Sequence, residues 1–516
     1  MPIVIAKLSG GKMMFLIIFV IDIIVAIENF HGRLSGFRLR RRQKNHKCLC
    51  AMTQTNNLKD IPASYRNKGN LREGDLKKHL TRLTLPMIWG IAVIISFQLV
   101  DMYFISRLGT DELAAISFTF PVTYGILSIT IGFGIAVSSV ISRLIGEGGQ
   151  DKLKRVTTHG LLLVFGVCCL IALTGLLIHE ALFSAMGANG DLLALIKDYM
   201  LIWFAAIALI SMPLVGNSAI RANGDAMTPA AIMTVAAVIN TILDPILIFG
   251  LFGFPRMEIQ GAALATVIGN GCAFFAILYV LRFKKEMVDF KWLHNFTNFG
   301  ETAKNILVIA IPVGMAQAIQ PFVNAIIISL LAAVSAEAVA AYGVVTRVEA
   351  FVFIVLMALA TGMAPIIGQN FGAALYDRVR ATMKLVISFT VIWSALIAVM
   401  LAVAGRQIAG LFTGNENIIE VVYLYFLIVP VSYLFSHLVN GWSSAFNAMG
   451  QPKKSFTMIV VKMLVVMLPA VYIGAQFGIK GIFIAIALVN FVIGSTFHTY
   501  SWKSMVRDFE SKKAAS

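Results

Sequence analysis

Charge is what this sequence has least of. Asp, Glu, Lys and Arg make up 13% of its 516 residues, against about 25% in soluble domains, while 58% are hydrophobic. That balance excludes a soluble enzyme. Cysteine is sparse as well: of five, at positions 48, 50, 168, 169 and 272, three fall inside apolar runs, so neither a disulfide framework nor a zinc site follows. Acids are scarcer than bases, 26 against 42, leaving a net charge of +16. In a soluble chain such an excess would point to nucleic acid. Here it lies between long apolar runs, so it marks membrane topology and no nucleic-acid partner is expected.

What is present in quantity is hydrocarbon. A helix needs about 20 apolar residues to cross a bilayer core. Twelve runs qualify, at 84–106, 112–145, 156–179, 192–221, 228–252, 259–283, 304–331, 337–371, 379–404, 416–446, 454–476 and 481–502. One set of connecting loops carries Arg143, Lys152, Lys154 and Arg155, then Arg282, Lys284, Lys285 and Lys291, then Arg378, Arg380 and Lys384, then Lys453 and Lys454. The other set carries little beyond Arg107, Arg256, Arg406 and Lys480. The positive-inside rule then puts both ends of the bundle in the cytoplasm, in a plasma or bacterial inner membrane.

Residues 1–51 are a composition island with nine Lys or Arg and two acids. Their apolar run, Met13 to Ile27, is short for a span and is interrupted by Asp22. The expectation is an extension from an upstream start, with Met52 as the biological one. Beyond it are expected a cytoplasmic segment (52–83), a six-helix lobe (84–283), a cytoplasmic linker (284–303), a second six-helix lobe (304–502) and a cytoplasmic tail (503–516).

The two lobes are copies. At an offset of 226 residues Pro86 meets Pro312, Leu113-Ala114-Ala115 meets Val339-Ala340-Ala341, Gly146 meets Gly372, Asp151-Lys152 meets Asp377-Arg378 and Gly224 meets Gly450. At an offset of 220, Gly261 meets Gly481 and Asn270 meets Asn490. Each copy has six helices, an even number, so the copies lie parallel and are related by a pseudo-two-fold axis along the membrane normal. The fold class is therefore an all-α integral membrane protein. Duplicated bundles of this kind are transporters, with the substrate path between the copies.

Ionisable residues inside spans cost roughly 2.5 kcal/mol or more each, which makes each a functional candidate. Asp101 in the first span, Asp244 in the fifth and Thr266 in the sixth fall at one depth, roughly 8–12 Å below the outer surface. Asn240 is one turn from Asp244 on the same helix face. Pro245 frees the carbonyl of Thr241. An all-oxygen set suits a hard cation such as Na⁺ at Asp101, Asn240 and Asp244, and the same two acids in a low-dielectric pocket suit a shared proton. The second copy has Ile327, Val466 and Ala470 at those positions, so the fold itself does not require the acids.

Elsewhere Gln317, Gln320 and Asn324 form a polar stripe on the seventh span, read as lining the central cavity or as interhelical glue. Arg347 and Glu349 in the eighth span are read as an interlobe or gating ion pair or as separately satisfied buried charges. Lys462 is expected to snorkel to the headgroups, and His437 to make a hydrogen-bonded helix contact.

In order along the chain, Leu85-Pro86-Met87, Val100-Asp101, Leu108-Gly109, Asn240-Thr241-Ile242-Leu243-Asp244-Pro245, Gly261-Ala262-Ala263, Arg347-Val348-Glu349 and Gly368-Gln369-Asn370-Phe371-Gly372-Ala373 resemble the multidrug and toxic compound extrusion (MATE) family over residues 75–505. The resemblance implies two six-helix lobes forming a V and export of amphipathic, often cationic, small molecules in exchange for Na⁺ or H⁺, by a monomer with no cofactor. It also implies the branch whose amino-terminal lobe holds the aspartate centre, matched by Asp101, Asn240 and Asp244, with Thr266 as fourth member. Another branch carries acids in helices 7 and 10, where this chain has Gln317 and Gln320 and no acid. Two rivals are weighed. A flippase for a lipid-linked saccharide would favour a cavity rich in Arg and Lys, and only Arg347 and Lys462 are available. A membrane-embedded prenyl transferase would need a D-D-x-x-D run, which is absent.

Overall fold

The computed structural model describes residues 70–515, and all regular structure there is helical. The expectations for residues 1–51, and for 52–69, lie outside the described residues. Helix α1 (Leu76–Ser106) starts eight residues earlier than the apolar run, because the Asp75 side chain accepts from the Lys77 N–H and caps it. It is followed by α2 (Thr110–Glu147), α3 (Gln150–Ala185), α4 (Gly190–Ala205), α5 (Ile207–Ala222), α6 (Met227–Phe249) and α7 (Glu258–Tyr279). The second copy comprises α8 (Phe299–Ala332), α9 (Ala336–Gly372), α10 (Tyr376–Gly410), α11 (Glu416–Ile428), α12 (Tyr433–Ala448), α13 (Pro452–Val460), α14 (Leu468–Ala475) and α15 (Gly478–Ala515). The expected tail is thus the end of α15, and between α7 and α8 lie a π-helical stretch, Val280–Lys284, and a short 3₁₀ turn at Phe290–Leu293.

Among the described residues eleven helices are long and apolar enough to span, counting α11 with α12 and α13 with α14 as one each, and α4 with α5 makes a twelfth span bent by 51°. The fourth span is therefore not the continuous helix expected, and neither is the tenth, where a 3₁₀ turn at Pro430–Ser432 separates α11 from α12. Both breaks fall at the same repeat position, since Ala206 and Ser432 are 226 residues apart. The outer faces are apolar, as lipid requires: Val403 is 75% exposed and Leu177 is 74%.

The lobes meet along a reciprocal seam. Gly146 of α2 lies against the carbonyl of Gln369, and Gly372 of α9 lies against the carbonyl of Arg143. Each residue of one contact is the 226-residue counterpart of one in the other, which places the pseudo-two-fold axis between them. A Cβ at either glycine would collide with backbone, so only Gly lets the helices approach this closely. Farther along, Gly132 of α2 packs on Ala310 of α8, and Gly362 of α9 packs on Thr84 of α1; Thr84 and Ala310 are counterparts at the 226-residue offset, and the two glycines are one helical turn out of that register.

A buried cluster joins the lobes at the end that carries the basic loops: Leu71, Leu80 and Leu83 pack with Met363, Ile366 and Ile367 of α9 and Trp442 of α12. Toward the opposite end the seam ends. There Phe120 and Tyr124 of α2 are 49% and 42% exposed, while the basic-end half of α2 is almost wholly buried.

Candidate functional site

Three helices of the first lobe converge on the predicted oxygen cluster. Asp244 and Asn240 project from one face of α6 and are 0% and 2% exposed. The Asn240 amide donates to the Thr266 hydroxyl of α7 at 3.3 Å, and Asn270 donates to the Thr266 carbonyl at 2.9 Å, so Thr266 is held from two sides. Gly269 of α7 packs against Asn240 and the carbonyl of Ala236, which fixes α6 and α7 at short range.

Asp101 of α1 is half-buried and near enough to Asp244 for their charges to interact, and Tyr199 of α4 lies within the same electrostatic range of both acids without a hydrogen bond to either. Asn240, Asp244 and Thr266 thus lie on facing helices, joined by the Asn240–Thr266 bond, with Asp101 within electrostatic range of Asp244. Tyr199 is an addition that the sequence reading missed. Its position nine residues into the fourth span, at a depth similar to that of Asp101, was the available signal.

Four side-chain oxygens of this cluster lack protein partners. Both carboxylate oxygens of Asp244, Oδ1 of Asp101 and Oδ1 of Asn240 are buried without a hydrogen bond. A buried carboxylate left this way is costly unless a proton or a cation compensates it. The donor set is all oxygen, which fits Na⁺ or H⁺ and not a soft metal. Among the described residues no cluster of three or more His, Cys, Asp or Glu could hold a metal.

The second lobe differs from expectation in three places. Arg347 and Glu349 do not pair. They point to different sides of α9, as a spacing of two dictates, and Glu349 Oε1 accepts from the hydroxyls of Tyr425 and Tyr433, both at 2.7 Å. Arg347 is exposed. Lys462 does not snorkel. It sits in a π-helical stretch, Val461–Met467, is 2% exposed and donates to Ser436 Oγ at 2.8 Å. His437 makes its helix contact with a ring, that of Phe353 at 4.4 Å between centroids, and its Nε2 has no partner. Of the stripe on α8, Gln320 is exposed while Gln317 and Asn324 are half-buried.

A second polar assembly, at the basic end, was visible in the sequence only as a motif. Gln369, 0% exposed, donates to the Ala222 carbonyl at 2.8 Å and accepts from the Leu71 N–H at 3.0 Å. Asn370 donates to the Leu71 carbonyl at 3.1 Å, Arg378 donates to the Gly74 carbonyl at 3.1 Å, and Arg72 donates to the Gly146 carbonyl at 3.3 Å. The segment before α1 is thus tied across both lobes.

Comparison with known proteins agrees with this architecture. The profile of the MatE family matches residues 86–246 and again 312–473, two matches that begin 226 residues apart. The chain is 37% identical over 430 residues to the FAD transporter of Shewanella oneidensis, covering 83% of this chain and 95% of that one. It is 27% identical over 412 residues to the multidrug export protein MepA of Staphylococcus aureus, covering 78% and 89%. The Vibrio cholerae MATE transporter VcmN in its bent form superposes with a TM-score of 0.79 at 29% identity, covering 87% of this chain and 99% of that one.

Proposed function

The chain belongs to the MatE family of multi-pass membrane transporters, and on that premise we propose that it is a secondary antiporter exporting amphipathic, often cationic, small molecules in exchange for Na⁺ or H⁺. The observation that carries this reading is the Asp101–Asp244 pocket, where buried carboxylate oxygens have no protein donor. Binding of a cation or proton there supplies the missing partner. It shifts the protein between states only by the difference in its affinity for them. Asp101 belongs to α1, which packs on α6 within its own lobe and on α9 of the other at Gly362. Occupancy therefore bears directly on the interlobe seam. The basic end is cytoplasmic in this reading, so the described state, sealed there and separated opposite, faces outward. The chain acts as a monomer in a plasma or bacterial inner membrane, with no cofactor beyond the coupling ion.

A second reading of the cargo rests on the Shewanella relative, which is named for FAD: an amphipathic dinucleotide in place of a cationic drug. The coupling test is efflux from proteoliposomes with Na⁺ and pH gradients imposed separately. One gradient alone is expected to drive export, and Asp101→Asn is expected to abolish it while folding and insertion persist. Undiminished gradient-driven export by that variant refutes the site.

A further inference from the structure

From the position of Arg347 we infer that the interlobe cleft recognises the anionic group of its cargo, a phosphate above all, and that Arg347 is the residue that binds it. The inference rests on the export reading and, between its two readings of the cargo, takes the anionic one over the cationic one.

The first step concerns direction. Gly362, Gln369 and Gly372 of α9 all touch the other lobe, at Thr84, at Leu71 and Ala222, and at Arg143. At 100° per residue, positions 15, 22 and 25 residues before these contacts all project within about 60° of one direction, and that position is Arg347. Arg347 thus continues the interlobe stripe of α9 into the region where the lobes have separated. Its exposed guanidinium faces the cleft and not lipid, where an unpaired charge is disfavoured.

The second step concerns charge. Among the described residues Arg347 makes no ion pair or hydrogen bond, unlike Lys462, which is engaged with Ser436. The carboxylates of the spans do not answer it: Asp244 is fully buried in the first lobe, Asp101 belongs to the same pocket, and Glu349 is turned away and held by two tyrosines. The other polar side chains singled out on spans of the two lobes are neutral amides, Gln98 of α1, which is exposed, and Gln317, Gln320 and Asn324 of α8. A planar, permanently charged donor fork without a carboxylate partner matches a phosphate or carboxylate and repels a cation. Tyr124 of α2, exposed near the same seam, offers a ring for the apolar part of such a molecule.

The test compares riboflavin with its phosphomonoester FMN, a pair differing by one anionic group, as ligands of the full chain in neutral-lipid nanodiscs, read by flavin fluorescence. Wild type is expected to bind FMN more tightly than riboflavin, with the difference shrinking in salt. Arg347→Gln should weaken FMN binding about tenfold or more and leave riboflavin unchanged, which also certifies the fold, while Arg347→Lys should fall between. Anionic-lipid nanodiscs that displace FMN would show that the guanidinium takes a phosphate from headgroups as well as from solutes. Equal binding of FMN by wild type and Arg347→Gln overturns the inference, as does wild-type preference for a cationic dye over FMN, even if gradient-driven export of that dye leaves the antiport reading intact. Conversely, Arg347-dependent FMN binding without export under either gradient upholds the recognition and removes the antiport reading.

Discussion

Single residues at the basic end show how charge is used where water is available. Asp225 caps the start of α6, accepting from the Met227 and Thr228 N–H groups, both at 3.1 Å, and from the Thr228 hydroxyl at 2.8 Å. Lys285, beyond α7, reaches it at 2.7 Å. Burial pushes this carboxyl up, but Lys285 and the Thr228 donors outweigh burial and hold it below the usual carboxylate range. A carboxyl depressed in the folded state stabilises that state above its unfolded value, about pH 3.9, and loses the contribution as pH falls through the folded one. Thermal stability in detergent is therefore expected to be flat near neutrality and to drop below about pH 4 in wild type. Asp225→Asn should be less stable at pH 7 and show a shallower acid drop, and an identical acid profile in the two proteins would contradict the assignment. The intramembrane acid Asp244 is different: among the described residues it has no hydrogen-bond partner, and on the proposed reading the coupling ion supplies the compensation.

At the scale of helices, the seam between α2 and α9 depends on the absence of side chains. Replacing Gly146 by Val forces bulk against the Gln369 carbonyl, and overpacking of this kind costs about 1–3 kcal/mol. The expected result is a wedge at the basic end: transport falls while expression and insertion hold. Maleimide labelling of a cysteine placed at Ser139, buried and bonded to the Asn447 carbonyl in this state, is expected to rise. Labelling that stays at the wild-type level would show that the seam tolerates a side chain. The counterpart Gly372→Val should behave alike, because the contact is reciprocal.

Across the whole molecule, the two lobes are held at one end by few directional bonds, which makes their separation a feasible motion. Gln369→Ala would leave the Leu71 N–H and the Ala222 carbonyl without their partner. Each unmade buried bond costs about 1–3 kcal/mol. A bias of that size changes a two-state population about 5- to 150-fold. A cysteine pair at Ser139 and Asn447 is expected to crosslink less in Gln369→Ala than in wild type. Equal crosslinking would mean that the strap before α1 does not hold this end closed.

Periodicity, the loop charges and the 226-residue offset were enough to show the helical class, the duplication and the pseudo-symmetry axis, because span length and topology are set by hydrophobicity and charge along the chain. The common depth of Asp101, Asp244 and Thr266 and the shared face of Asn240 and Asp244 were legible too, since depth in a membrane helix is a linear count of residues. Direction around a helix and partnership across space were not. The break at Ala206, the π turn that carries Lys462 inward, the tyrosines that claim Glu349 from Arg347 and the stripe that turns Arg347 into the cleft each depend on which helices pack together. That choice is made by close backbone approach at glycines far apart in sequence, and only the tertiary structure decides it.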